Sequence, residues 1–254
     1  MRLAVLADIH GNLDALNAVL VDLERYAPDA LFVLGDHASG PLDAAGTLDR
    51  LMGLGGDVRC LRGNHDRWLV EREPAAMGPS DAHARARLSE RHLDWLAALP
   101  PIIAADGAFA CHGTPRSDST YWLDEVAEDG RVRARGMAAV EGFAAEALTE
   151  GASPASLLLC GHTHVPRIAA LGDGRLVVNP GSVGLPAYDD DAPVPHVMES
   201  GLPHAAYALA ERAEAGAWSV TQRYVPYDTE PMARLAEANG RPAWAQAIRT
   251  GRLN

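Results

Sequence analysis

Three cysteines in 254 residues, Cys60, Cys111 and Cys160, are too few, too far apart and odd in number for a disulfide framework. No apolar run approaches the ~18 residues that a membrane-spanning helix needs. The opening apolar stretch stops at Asp8, too soon for a signal segment, so a cytoplasmic chain is expected. Aromatic residues are scarce, at 6%. Positive charge is scarce too: 22 Lys and Arg face 34 Asp and Glu, a net of −12. Such a deficit argues against non-specific nucleic-acid binding and against a membrane-surface role. What is present is ordinary globular composition, 48% hydrophobic and 22% charged, with chain enough to bury a core. A single domain over residues 1–254 is expected.

The first 65 residues alternate in a βαβαβ manner. Arg2–Ala7, Leu31–Leu34 and Val58–Leu61 are short apolar runs. Between them, Leu13 to Tyr26 and Asp43 to Leu54 carry apolar residues at helical spacing. That alternation predicts parallel strands covered by helices. The middle predicts one helix from Ser80/Asp81 to Leu99, stopped by Pro100 and Pro101, and another from Arg133 to Thr149, ended by Gly151. Strand-like runs return at Ala108–Cys111, Leu157–Cys160, Arg167–Leu171, Leu176–Val178, Ala205–Ala210 and Trp218–Val225, the later ones read as antiparallel. Gly184–Pro203 is read as a loop, Asp228 as the cap of a late helix, and a last helix follows Pro242. The expected class is α/β, two packed sheets with helices outside.

Five of the ten histidines sit just past an apolar run, in company with Asp8, Asp36 and Asn64: Asp8-Ile-His10, Gly35-Asp36, Gly63-Asn64-His65-Asp66, Cys111-His112-Gly113 and Gly161-His162-Thr-His164. Sheets bind ligands outside the carboxyl ends of their strands, so these five segments are expected to converge on one rim. Asp8 and His10 are two apart in an extended stretch, so both side chains face one way, and the same holds for His162 and His164. Imidazole, carboxylate and carboxamide donors without thiolate suit Mn²⁺, Fe²⁺, Co²⁺, Ni²⁺ or Zn²⁺. Seven such residues exceed the needs of one ion and suit two.

In order and spacing, these segments resemble the signature set of the calcineurin-like metallophosphoesterases over residues 1 to about 184. The similarity is greatest to small bacterial and archaeal members of phosphodiesterase type, and it extends into the tail from Asn179-Pro180-Gly181-Ser182 to Arg223–Asp228. The resemblance implies a four-layer α/β/β/α sandwich of two mixed sheets. It implies one metal on Asp8, His10, Asp36 and His164 and a second on Asp36, Asn64, His112 and His162, with manganese foremost. It makes His65 the catalytic histidine beside the leaving oxygen. Two divalent ions bring +4 against two carboxylates, so the site is locally positive inside an acidic chain. Paired ions ~3.5–4 Å apart polarise a phosphoryl oxygen and turn bound water into a bridging hydroxide for in-line attack. In one respect the sequence departs from the family's protein phosphatases. Ser39 stands where those carry an Asp that orients the catalytic histidine, which leaves Asp66 as a substitute partner.

The expected activity is hydrolysis of a small phosphate ester, a diester first. Its rivals are a phosphomonoesterase or protein Ser/Thr phosphatase, a nucleotide polyphosphate hydrolase, and a scaffold like the retromer subunit that resembles this family. A nuclease would need a basic channel that the chain does not supply. Arg62, Arg116 and Tyr121 are candidate substrate contacts. For each, a salt bridge or a packed loop is the plainer reading. His37 is read as pointing away from the site, the cysteines as small buried hydrophobes, and Asn179 and Ser182 as turn-formers. Asn12 is read as helix cap or as support for the ligands.

Overall fold

The computed structural model of the chain describes residues 1–150, 155–214 and 216–253. In chain order the first half runs β1 (Arg2–Leu6), α1 (Leu13–Leu23), β2 (Ala30–Val33), α2 (Ala44–Met52), β3 (Val58–Cys60), α3 (Asn64–Glu71), α4 (Pro79–Arg85), α5 (Glu90–Ala98), β4 (Ile102–Ala105) and β5 (Ala108–Cys111). The second half adds β6 (Asp124–Val126), β7 (Val132–Ala134), α6 (Met137–Thr149), β8 (Leu157–Leu159), β9 (Arg167–Ala170), β10 (Leu176–Asn179), β11 (Ala187–Asp190) and β12 (His196–Glu199). It closes with β13 (Ala205–Arg212), β14 (Trp218–Val225), α7 (Glu230–Ala238) and α8 (Pro242–Thr250).

Two five-stranded mixed sheets follow, ordered β14-β13-β1-β2-β3 and β4-β5-β8-β10-β9. The period of two along each strand makes the layers. In β1, Leu3 and Val5 enter the core between the sheets with Phe32, Ala110, Leu157 and Leu159. Ala4 and Leu6 point the other way, onto Leu16, Val19 and Leu23 of α1. On the far side, Phe109, Leu158 and Val177 pack against Val140, Ala144 and Ala147 of α6. This is the expected α/β/β/α sandwich of two mixed sheets.

Several local expectations fail. The single helix to Leu99 is two, because the chain breaks after Arg85 and restarts at Ser89, whose extended backbone caps α5. The helix placed over Arg133–Thr149 begins only at Met137, since Val132–Ala134 pairs antiparallel with β6; its expected end, Gly151, lies outside the described residues. The stretch read as a loop over 184–203 contains the β11–β12 hairpin. The later strands are not all antiparallel: β8 runs parallel to both β5 and β10. Local sequence pattern did not anticipate α3. Its start is set by Asp66, whose Oδ2 accepts the Gly63 N–H at 3.0 Å.

Candidate metal centre

All seven expected ligands lie in the segments that follow β1, β2, β3, β5 and β8, Asn64 as the first residue of α3, and each is at least half-buried; Asp8, Asp36 and His112 are sealed. Asp8, His10 and His164 converge as one group, and Asp36, His112 and His162 as another, with donor atoms in each group within 4.8 Å of one another. Asn64 joins the second through its Oδ1, 3.0 Å from His112 Nε2. His112 Nε2 is also 3.2 Å from Asp36 Oδ2 and 3.9 Å from Asp8 Oδ1, while His10 Nε2 stands 3.8 Å from the same Asp36 oxygen. Asp36 therefore lies between the groups.

The backbone that delivers these residues is not extended. Among the described residues, seven non-glycine positions have positive φ, and five of them are Asp8, His10, Asp36, His162 and His164. Side chains with a Cβ avoid this region, so such a concentration marks strain held in place by surrounding contacts. The expected extended pairs, Asp8–His10 and His162–His164, are thus corrected: β1 ends at Leu6 and β8 at Leu159, and all four residues have left-handed backbone. The restraints are visible. Asp8 N and His10 N donate to Gly35 O and Asp36 O at 3.1 and 2.9 Å. Ser182 Oγ donates to Asp8 O at 2.7 Å, and Asn179 Nδ2 holds Gly161 O at 2.7 Å. These two turn-formers thus also brace the ligand loops. Asn12 caps α1 through Ala15 N and ties it to Gly184 O. A Cβ at Gly63 would collide with the Asp36 carboxylate.

The imidazoles are oriented from behind. His10, His112 and His164 place Nδ1 on the carbonyls of Ser39, Leu34 and Leu185, at 2.8, 2.6 and 2.6 Å. That contact fixes the tautomer and aims Nε2 inward. His10 Nε2 and His164 Nε2 then meet at 3.1 Å, two acceptors facing each other. Burial pushes His10 down to about 4 and His162 down to about 3, so both are neutral and ready to coordinate. Burial raises Asp8 to about 8. His112 goes the other way: burial would lower it, but Asp36 and Asp8 push it up to about 10. Asp8 Oδ1 is buried with no hydrogen-bond partner. Facing lone pairs, an orphaned carboxylate oxygen and an all-N,O donor set fit a divalent cation.

His65 stands over this centre. Its Nδ1 is 2.7 Å from Asp81 Oδ1 and 3.2 Å from Ser39 Oγ, and the Ser39 hydroxyl donates to the same Asp81 oxygen at 2.6 Å. The structure corrects the substitute partner expected from sequence. Asp66 instead takes His37 Nδ1 at 2.7 Å and the N–H groups of Asp36 and His37. His37 points away from the centre, against Trp95. Sequence reading missed Asp81, since Ser80-Asp81 carries the ordinary signal of a helix start and nothing local ties it to His65. Tyr121 lines the cleft and bonds Tyr188 and His196, whereas Arg62 and Arg116 do not reach it. Arg62 lies 3.5 Å from Glu71, and Arg116 is spent on Glu150 and Thr149. The three cysteines are free, two of them buried.

The profile of the calcineurin-like phosphoesterase superfamily domain matches residues 1–198. The chain belongs to this superfamily. It is a metallophosphoesterase, a hydrolase of phosphate esters in a superfamily that uses divalent metal ions. A metallophosphoesterase from Sphaerobacter thermophilus is similar over 99% of both chains, with 25% identity and a TM-score of 0.72. A hypothetical protein from Pyrococcus horikoshii OT3 shares the fold over 99% of this chain and 98% of its own, with 19% identity and a TM-score of 0.75. A symmetrical bis(5'-nucleosyl)-tetraphosphatase from an Acidovorax species is 35% identical over 107 residues, 39% of this chain and 38% of that one. Among the described residues of this metallophosphoesterase, no helix is long and apolar enough to cross a membrane.

Proposed function

We propose that this chain is a single-domain phosphodiesterase that works with two divalent ions, Mn²⁺ foremost, bridged by Asp36. The observation that carries the reading is the pair of ligand groups side by side in one cleft. Asp8, His10, Asp36 and His164 would hold one ion, and Asp36, Asn64, His112 and His162 the other. When bound, the ions supply Lewis-acid polarisation of the phosphoryl oxygens and ease the generation of a nucleophile from water near neutral pH.

The chain's own residues do the rest. His65 holds a proton at Nε2, which has no protein partner among the described residues, and delivers it to the departing ester oxygen. Such a role is typically worth ~10²–10⁴-fold. Asp81 and Ser39 fix its ring from behind. The lining of the cleft favours a diester: Trp68, edge-on to His65 at 4.8 Å, and Trp244, edge-on to His10 at 5.8 Å, both line it and offer aromatic surface to an ester arm. The partial likeness to a nucleosyl tetraphosphatase favours a second reading, cleavage within a nucleotide polyphosphate. A small phosphate ester, a cytoplasmic setting and no grip on nucleic acid complete the proposal.

The test is metal removal. Chelator-treated protein is expected to lose activity on bis(4-nitrophenyl) phosphate and regain it with Mn²⁺; activity indifferent to chelation overturns the reading. Asp36→Asn is expected to lower metal content at both positions by elemental analysis. Assay of a dinucleoside tetraphosphate and 4-nitrophenyl phosphate beside the diester separates the readings.

A further inference from the structure

The family match ends at residue 198, yet the tail beyond it supplies part of the cleft wall. The cleft encloses about 1360 Å³, larger than the few hundred to ~1,000 Å³ of ordinary small-molecule sites. One wall is the start of α8, which is seated by Ala245 and Ile248 against α7 residues and by Ala247 against Leu185 and Ala187. From this rigid base Trp244 and Arg241 reach the cleft. The indole lies over Gly40 so closely that a Cβ there would come within 2.7 Å of the ring. It is half-buried, with His10 beneath its edge.

Arg241 is set apart from the other two arginines of the cleft. Arg133 and Arg135 lie 2.8 and 3.8 Å from Glu125 and are neutralised by it. Arg241 has no ion pair among the described residues; its one side-chain hydrogen bond is from Nη1 to Ser80 Oγ at 2.8 Å. Burial pushes its guanidinium below its ordinary value, with Asp189 offsetting this only in part. The guanidinium carbon is 5.8 Å from the Trp244 ring centroid, so ring and charge form one patch. A half-buried guanidinium with unused donors is suited to phosphate, and an indole face to a planar ring.

We propose that Trp244 and Arg241 form a subsite for one substrate arm, and that this arm carries a planar ring and an anionic group besides the scissile phosphate. The proposal rests on the phosphoesterase reading and deepens it by naming the class of substrate. It gives the tail a share in recognition.

The test is calorimetric binding of ADP and of inorganic phosphate to the Mn²⁺-loaded protein. Wild type is expected to bind ADP at least tenfold more tightly than phosphate. Trp244→Ala and Arg241→Gln are each expected to cut that ratio at least fivefold, and Trp244→Phe and Arg241→Lys to restore most of it. The conservative variants and melting temperatures guard against loss of fold. If ADP binds no better than phosphate to wild type, or the ratio survives both substitutions, the subsite is overturned. If wild type binds neither probe and hydrolyses no phosphoester, the phosphoesterase reading falls with it.

Discussion

Two histidine–aspartate pairs, both 2.7 Å apart, touch Asp36 at different atoms and do different work: Asp66 accepts its N–H, and the His65 N–H donates to its Oδ1. The His37–Asp66 pair is sealed, with both side chains fully buried. Its carboxylate also gathers backbone N–H groups from Asp36, His37 and Gly63. The His65–Asp81 pair opens on the cleft, with 28% of the histidine side chain exposed. The lesson is that the contact alone does not define the role. A sealed pair whose carboxylate is held by three backbone N–H groups locks a loop, while a pair whose free nitrogen has a route to solvent can move a proton.

Substitutions separate the two. His65→Ala is expected to lower kcat ~10²–10⁴-fold while both ions remain; loss of metal in elemental analysis would make His65 a ligand rather than a proton donor. Asp66→Asn strips a buried charge from His37 and is expected to cost about 3–5 kcal/mol in urea unfolding. A variant as stable as wild type would show that the sealed pair is not what holds the Asp36 loop. Asp81→Asn is expected to reduce kcat ~10–100-fold with little change in KM or melting temperature, because it disturbs only the support behind the reacting imidazole. Asp81→Glu should recover part of the rate. Equal loss of stability in the Asp66 and Asp81 variants would erase the distinction.

A third buried carboxylate gives the smallest effect and a pH signature. Asp22 accepts from Tyr207 at 2.7 Å and from Arg223 Nε at 2.9 Å. Burial opposes its charged form, but Arg223 and Tyr207 hold it below the ordinary 3.8. A depressed carboxyl contributes stability that is complete above its unfolded value and lost as pH falls through the folded one. Asp22→Asn is therefore expected to cost about 1 kcal/mol at pH 7, a gap that closes on acidification. Urea midpoints at pH 7 and below pH 3.8 measure it; a constant gap would refute the assignment.

Much of the centre was legible because its residues follow apolar runs. Leu3–Leu6, Leu31–Val33 and Leu157–Leu159 announce buried strands by composition alone, and polar groups just past them must lie at strand ends. Short-range pattern likewise set α1, α2, β5 and the paired β13 and β14. It failed where neighbours in space outvote neighbours in sequence. The run Val132–Ala134 sits beside a helix former but pairs with β6, and Ala187–Asp190 reads as loop until it meets His196–Glu199.

Sequence by itself determined the chemistry: which donors exist and in what order. Spacing of apolar residues also determined the layers, since each period commits one face to burial. Tertiary structure alone decided the geometry. The left-handed backbone at Asp8, His10, Asp36, His162 and His164 is held by bonds to segments far away along the chain; Asp and His tolerate that region better than most side chains, but nothing local requires it. It alone decided that Asp81, not Asp66, stands behind His65, and that Arg241 and Trp244 return to the cleft from the far end of the chain. Such partnerships depend on distances through space, which a linear pattern does not encode.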